Sequence, residues 1–166
     1  MLQSLIDLGA GTNVQCGGEP LISWLADYFG KLIYKRVAAL LIKRGADPNA
    51  KGSDGYTALC NIVVKYRVEA LETLLRLGAD PNVECDGKTP LCIAMQKESR
   101  EMVSLLLKHG ANPNVECDGR TPLLIAAEKC DKDMAELLLR HGADPRKSPL
   151  VYHVAYDDVY RLLPPP

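Results

Sequence analysis

The sequence predicts an all-α repeat fold, a solenoid of stacked helix-turn-helix units joined by hairpin-like loops. Three observations carry that prediction. Five segments ending in Gly-Ala align, with glycines at Gly9, Gly45, Gly78, Gly110 and Gly142, spaced 36, 33, 32 and 32 residues apart. A second phrase keeps the same beat at Gly55-Tyr56-Thr57-Ala58-Leu59, Gly87-Lys88-Thr89-Pro90-Leu91 and Gly119-Arg120-Thr121-Pro122-Leu123. The pentapeptide Val-Glu-Cys-Asp-Gly occurs twice verbatim, beginning at Val83 and Val115.

Each element of the repeat has a physical reason. Thr89 and Thr121 are residues whose hydroxyls accept from the free amides of a first helical turn. Pro90 and Pro122 follow at the first helical position, where a missing N–H costs nothing. A short first helix such as Leu91–Gln96 is expected next. The second helix, Arg100–His109, presents Met102, Val103, Leu105, Leu106 and Leu107 as a wide apolar face. Gly110 stops it, because glycine tolerates the left-handed conformation past a helix end. An Asn-Pro-Asn turn then starts an extended connection to the next Asp-Gly. One such helix pair cannot bury both apolar faces, but stacked neighbours can.

Bulk properties suit this architecture. Apolar residues make up 47% of the 166 residues and charged residues 25%, as in an ordinary globular protein. The formal net charge of -1, from 20 basic and 21 acidic side chains, argues against a nucleic-acid partner, which needs phosphates neutralised. No apolar run is long enough to span a membrane, and the first residues lack the pattern of a secretory signal. The six cysteines (Cys16, Cys60, Cys85, Cys92, Cys117 and Cys130) are therefore expected to be reduced thiols in a cytoplasmic or nuclear protein. Cys85 and Cys117 occupy the same position in successive repeats. A repeat spacing of about 10 Å keeps them too far apart to bridge. Cys60 and Cys92 are expected to behave as small buried hydrophobes. No Cys-x-x-Cys or His-x-x-x-His pair completes a metal site, and no cofactor motif is present.

Taken together, the period and the two phrases resemble the ankyrin repeat. The resemblance covers nearly the whole chain and implies one domain over 1–163. Within it lie a partial repeat (1–16), a repeat with about five extra residues (17–50), three regular repeats (51–82, 83–114 and 115–146) and a degenerate cap (147–163), and a proline tail (164–166) follows it. The extra residues are expected near Tyr28–Leu32, between the two helices. Met1–Gly9 reads as a second helix without its first, as in a piece of a longer array. Pro149–Leu163 reads as a worn, polar final repeat. The chain departs from the family where it usually places His after Thr-Pro-Leu. Ile22, Cys60, Cys92, Leu124 and Val151 stand there instead, which predicts a different local network rather than a different fold.

Three groups of residues invite chemistry. His109 and His141 precede a glycine at a second-helix end, where a partly cationic imidazole suits the negative pole of the helix. No nucleophile or carboxylate motif accompanies them or His153, so no catalytic set is expected and the chain is expected not to be an enzyme. The pairs Glu84/Asp86 and Glu116/Asp118 have the makeup of an acid/base or calcium pair, but a solvated loop edge accounts for them. The resemblance further implies that Asn82 and Asn114 are candidate hydroxylation sites for an oxygen-sensing dioxygenase. As local chemistry, both suit a turn.

The resemblance also implies how such a chain works. Proteins of this family bind other proteins through loop tips and the exposed face of the first helices. By repeat position, the expected contact residues are Tyr56, Lys65, Tyr66, Asp86, Lys88, Gln96, Lys97, Asp118, Arg120, Glu128 and Lys129. Lys65, Lys97 and Lys129 recur every 32 residues and would form a ladder gripping an acidic or extended peptide. Tyr56 and Tyr66 would supply aromatic anchors. The expectation is a monomeric interaction module, an adaptor or the substrate-recruiting part of a larger protein, with no membrane or nucleic-acid partner. A spacer or regulatory segment of a larger enzyme or channel, an enzyme in its own right, and an engineered binder are the alternatives.

Overall fold

A computed structural model describes residues 13–147, in which eight α-helices and one short hairpin are found. The expectations for 1–12 and 148–166, including the partial first repeat, the worn cap, the proline tail and His153, lie outside the described residues. The chain divides into two compact units, with the boundary between Pro90 and Leu91.

The first unit opens with an antiparallel pair, β1 (Gln15–Cys16) and β2 (Glu19–Pro20), joined by Gly17 and Gly18, both at positive φ. Two helix pairs follow: α1 (Leu21–Tyr28) with α2 (Lys31–Lys43), and α3 (Ala58–Val64) with α4 (Val68–Arg76). First helix packs on first helix and second on second, α1 against α3 and α2 against α4. Ile22, Leu25, Tyr34, Ala38, Leu59, Ile62, Leu71 and Leu74 form the core between them. The second unit holds most of α5 (Pro90–Gln96), α6 (Arg100–Lys108), α7 (Pro122–Glu128) and α8 (Lys132–Arg140). Here α8 packs on both α6 and α7, around Met102, Leu106, Leu123, Ala135 and Leu138.

Local chemistry sets the helix ends as the repeat phrases predict. The Thr57 hydroxyl accepts from the Cys60 amide at 3.3 Å, and that of Thr121 accepts from the Leu124 amide at 3.2 Å. Ser99 and Asp131 cap α6 and α8 in the same way. At the other end, the amides of Ala46, Ala79, Ala111 and Ala143 each reach back to a leucine carbonyl five residues earlier, at 3.0 Å. The glycine between sits at φ near +90°, the Schellman arrangement that consumes the last free carbonyls. His109 and His141 are the C-cap residues of α6 and α8.

The irregular repeat differs from expectation. Its extra residues do not form a loop between helices. They lengthen the second helix: α2 has 13 residues against 9 in α4. Aligned on Gly45 and Gly78, Lys35–Lys43 matches α4, and Lys31–Tyr34 is an added turn. Tyr34 pins that turn to the core at 1% exposure. Its hydroxyl has no partner among the described residues, and burial raises its pKa. Register in this repeat is also corrected. Pro20 is the N-cap, as Thr57 is for α3, so Ser23 and not Ile22 matches Cys60 and Cys92.

The largest correction concerns the cysteines. Cys60–Cys85 and Cys92–Cys117 are disulfides, with Cα atoms 5.5 and 5.3 Å apart and sequence separations of 25. Cys85 and Cys117, equivalent positions in successive repeats, are not bonded to each other, as their spacing predicts. Each bond instead joins a first-helix position to the loop tip of the following repeat, which folds back over it. Cys60 and Cys92 are buried, but as halves of a bridge and not as free hydrophobes. Cys16 and the exposed Cys130 are free thiols.

Candidate functional site

The loop tips are built the same way in both units. Asp86-Gly87 and Asp118-Gly119 carry positive φ at both positions, the two-residue turn that matches strand twist. Cys85 and Lys88 exchange backbone hydrogen bonds at 2.7 and 3.2 Å, and Cys117 and Arg120 at 2.7 and 3.1 Å. The disulfides attach directly to these turns. Cys60 Sγ lies 3.8 Å from the Glu84 carbonyl oxygen and Cys92 Sγ 3.6 Å from that of Glu116. Both sulfurs stand at the position after Thr-Pro-Leu or Thr-Ala-Leu, where a different local network was expected. That network is a covalent bond from helix to loop, and the side chains of Asp86 and Asp118 are exposed on a stapled turn.

In the first unit the tips interlock. Ser53 N donates to Gln15 Oε1 at 3.0 Å, and Asp54 N to the Gly18 carbonyl at 3.1 Å. A Cβ at Gly52 would overlap that same Gly18 oxygen, so only glycine permits the approach. Asp54 accepts from Tyr56 N at 3.0 Å and from Asn61 Nδ2 at 3.0 Å. The half-buried Tyr56 lies near the carboxylates of Asp86 and Asp54. Burial first, then the Asp86 and Asp54 charges, raise the Tyr56 pKa.

The first-helix ends hold more internal ion pairs than the sequence suggests. Lys65 Nζ meets Glu19 Oε1 at 2.7 Å and Asp27 Oδ2 at 2.6 Å, and Arg67 Nε meets Asp27 Oδ1 at 3.0 Å. Burial raises the Asp27 pKa, but the hydrogen bonds and charges of Lys65 and Arg67 outweigh it, and the net value falls below 3.8. For Lys65, burial lowers the pKa, but Asp27 and Glu19 outweigh it and carry it above 10.5. The cluster's stabilisation is thus complete between these limits. The Asp27 part is lost as pH falls through its depressed folded pKa, and the Lys65 part as pH rises through its raised one. With partial exposure screening the charges, Asp27→Asn is expected to cost about 0.5–1 kcal/mol at neutral pH and to flatten the acid limb of stability. Urea melts across pH check this, and an acid limb unchanged in the variant would remove the cluster from the account.

Tyr66, between these cations, is 51% exposed and adopts φ +58°, a conformation that a non-glycine residue rarely takes. In the second unit, Gln96 Nε2 donates to Asp118 Oδ2 at 2.9 Å, and Arg120 Nη1 to Glu128 Oε2 at 2.9 Å. Lys129 is paired with Glu98. Lys97 is exposed and has no carboxylate partner among the described residues. Lys88 is half-buried and has a bonded partner. Of the predicted lysine ladder, then, Lys65 and Lys129 are neutralised by neighbours, whereas Lys97 is not.

The loop asparagines serve as brackets, which their turn chemistry alone did not reveal. Asn114 donates through Nδ2 to the Gly142 carbonyl at 3.0 Å and accepts through Oδ1 from Asp144 N at 2.7 Å. Asn49 does the same toward Gly78 at 3.5 Å and Asp80 N at 2.8 Å, and Asn13 accepts from Asp47 N at 2.9 Å. Asn82 N bonds Asp80 Oδ1 at 2.8 Å, and Asn82 has a further bonded partner. The shared offset of four residues after each glycine was the available signal.

A cleft of about 160 Å³ in the second unit is lined by Met95, Glu98, Ile125, Ala126, Lys129, Asp131 and Met134. That is smaller than an ordinary small-molecule site, which runs to roughly 300 Å³ or more. Among the described residues no three His, Cys, Asp or Glu side chains converge to hold a metal, and no helix is long and apolar enough to cross a membrane.

Comparison with known proteins agrees with this geometry. A family model described as ankyrin repeats (3 copies) matches residues 22–117 and 62–149. A crystal structure of an ankyrin repeat domain from Acinetobacter baumannii AYE is 30% identical, with a TM-score of 0.68, over 86% of this chain and 74% of that one. The human ASB11 ankyrin repeat domain is 23% identical with a TM-score of 0.64, over 96% of this chain and 75% of that one, and so is alike in fold. Among curated proteins none matches in sequence.

Proposed function

The chain belongs to the ankyrin-repeat family, and from that premise we propose that it is a non-enzymatic module that binds a partner protein through its loop tips and first-helix ends. Ankyrin repeats in general are protein-interaction modules. The observation that carries the reading here is the stapled tip. Asp86 and Asp118 are exposed and do no core work, yet each turn is tied to a helix by a disulfide. Holding an exposed turn rigid lowers the entropy lost when a partner docks on it.

Tyr66, Lys97, Asp86 and Asp118 are the foremost contacts in this proposal. Lys65, Arg120, Glu128 and Lys129 present paired charges at the rim, Tyr56 and Gln96 support the tips, and Lys88 flanks the turn. An adaptor or recruiting role, an extended partner, a monomeric state and a cytoplasmic or nuclear setting complete the proposal. A reducing compartment would require the buried sulfurs to resist thiol attack, which depends on access. Hydroxylation of Asn82 or Asn114 fits the same picture, but at Asn114 it would require the bracketed loop to open.

The test is affinity capture from lysate of the source cells, comparing the parent with Y66A/K97E and D86A/D118A variants whose circular dichroism is unchanged. Capture is expected to fall about tenfold or more in each. Equal capture by all three proteins would sink the reading.

A further inference from the structure

Helix α2 breaks the charge pattern of its equivalents. The first turns of α4, α6 and α8 carry Glu69, Glu101 and Asp133, where a carboxylate suits the positive pole of a helix. The matching residue of α2 is Arg36, and α2 contains Lys31, Lys35, Arg36 and Lys43 with no carboxylate at all. In a chain of net charge -1 this is a local reversal of sign. Lys31 reaches Glu72 only at 3.8 Å, and Lys35 and Arg36 are exposed with no acidic partner among the described residues.

Apolar exposure coincides with these cations. Leu32 is 71% exposed, Ile33 50% and Tyr28 66%. Two of the three lie on the added turn, whose fourth residue, Tyr34, anchors it in the core. A turn that places the cation of Lys31 at the wrong helix pole and leaves Leu32 and Ile33 in water lowers stability on both counts, and such local conflicts mark functional surfaces.

We propose that the start of α2, with Tyr28, is a second docking surface, whose occupant is an acidic peptide segment of a partner protein bearing large apolar side chains. Carboxylates complement Lys31, Lys35 and Arg36, and the apolar side chains cover Leu32, Ile33 and Tyr28. This surface is made by a second helix rather than by loop tips and first helices. It rests on the reading that the chain binds proteins, but it assigns the acidic partner to α2 rather than to Lys65 and Lys129, whose charges are taken.

The test is fluorescence anisotropy with a short labelled peptide of alternating Glu and Leu, titrated with the whole chain. Saturable binding is expected, weakened about tenfold or more by K35E/R36E and likewise by L32S/I33S. A peptide of alternating Glu and Ser should bind weakly and be indifferent to L32S/I33S. No binding, binding equal in K35E/R36E, or sedimentation with phosphatidylserine vesicles in place of peptide binding would overturn the proposal. If lysate capture still falls in Y66A/K97E while the peptide result fails, the protein-binding reading stands and only the α2 surface is lost.

Discussion

Replacing Cys60 and Cys85 together by Ala is expected to lower stability by about 2–4 kcal/mol, and replacing Cys92 and Cys117 to do the same. The magnitude follows from loop closure. Each bond closes a separation of 25 residues, for which the chain-entropy account gives about 3.5 kcal/mol. Whole domains are stable by only roughly 5–15 kcal/mol, so losing both bonds removes a large share. Because each repeat touches only its neighbours, the damage should be local, centred on the tips at Asp86 and Asp118. Urea melts with and without reductant measure the first effect, and amide exchange at the tips the second. In the oxidised folded protein, alkylation should label Cys16 and Cys130 and spare the other four of the six cysteines. Coincident melts together with six labelled thiols would refute the bonds. Trapping thiols in intact cells then reads the redox state where the protein works.

Asn114→Ala is the second change of large expected effect, at about 1–3 kcal/mol. The side chain supplies a donor to the Gly142 carbonyl and an acceptor for the Asp144 amide, and alanine replaces neither. Asp144 in turn holds Arg146 N at 3.0 Å, so the loss should spread into the following turn. Asn114→Asp keeps the acceptor and loses the donor, and should fall between parent and alanine. Faster exchange at the Asp144 amide is the specific readout. Equal protection in parent and Asn114→Ala would show that the bracket contributes nothing. Asn49→Ala should behave alike in the first unit, though its contact with Gly78 is longer.

Much of the fold was legible because the repeat writes local rules into adjacent residues. A threonine hydroxyl reaches an amide three residues on, a proline needs no N–H at the first helical position, and a glycine accepts positive φ after the last turn. These depend on a few residues at fixed offsets, so Thr57, Thr121, Gly45, Gly78, Gly110 and Gly142 declare their roles in one dimension. The exposed character of Asp86, Lys97, Asp118 and Glu128 follows from the same register.

What the chain order does not disclose is which side chains meet across repeats. Cys60 finds Cys85 only because the next loop folds back over the helix that carries Cys60, a distance no same-position comparison contains. Lys65 recurs at the same beat as Lys97 and looks equivalent to it, yet Glu19 and Asp27 happen to face it and take its charge. The extra residues of the irregular repeat had no periodic template. Only packing decided that they extend α2 by a turn, bury Tyr34 and leave Leu32, Ile33, Lys35 and Arg36 facing solvent. By itself the sequence determined the regular helix pairs, their threonine caps and glycine stops, and the family, because those rest on short-range stereochemistry. Tertiary structure alone decided the disulfides, the ion pairs and the free charge, because each depends on side chains from two repeats arriving within a few ångströms of one another.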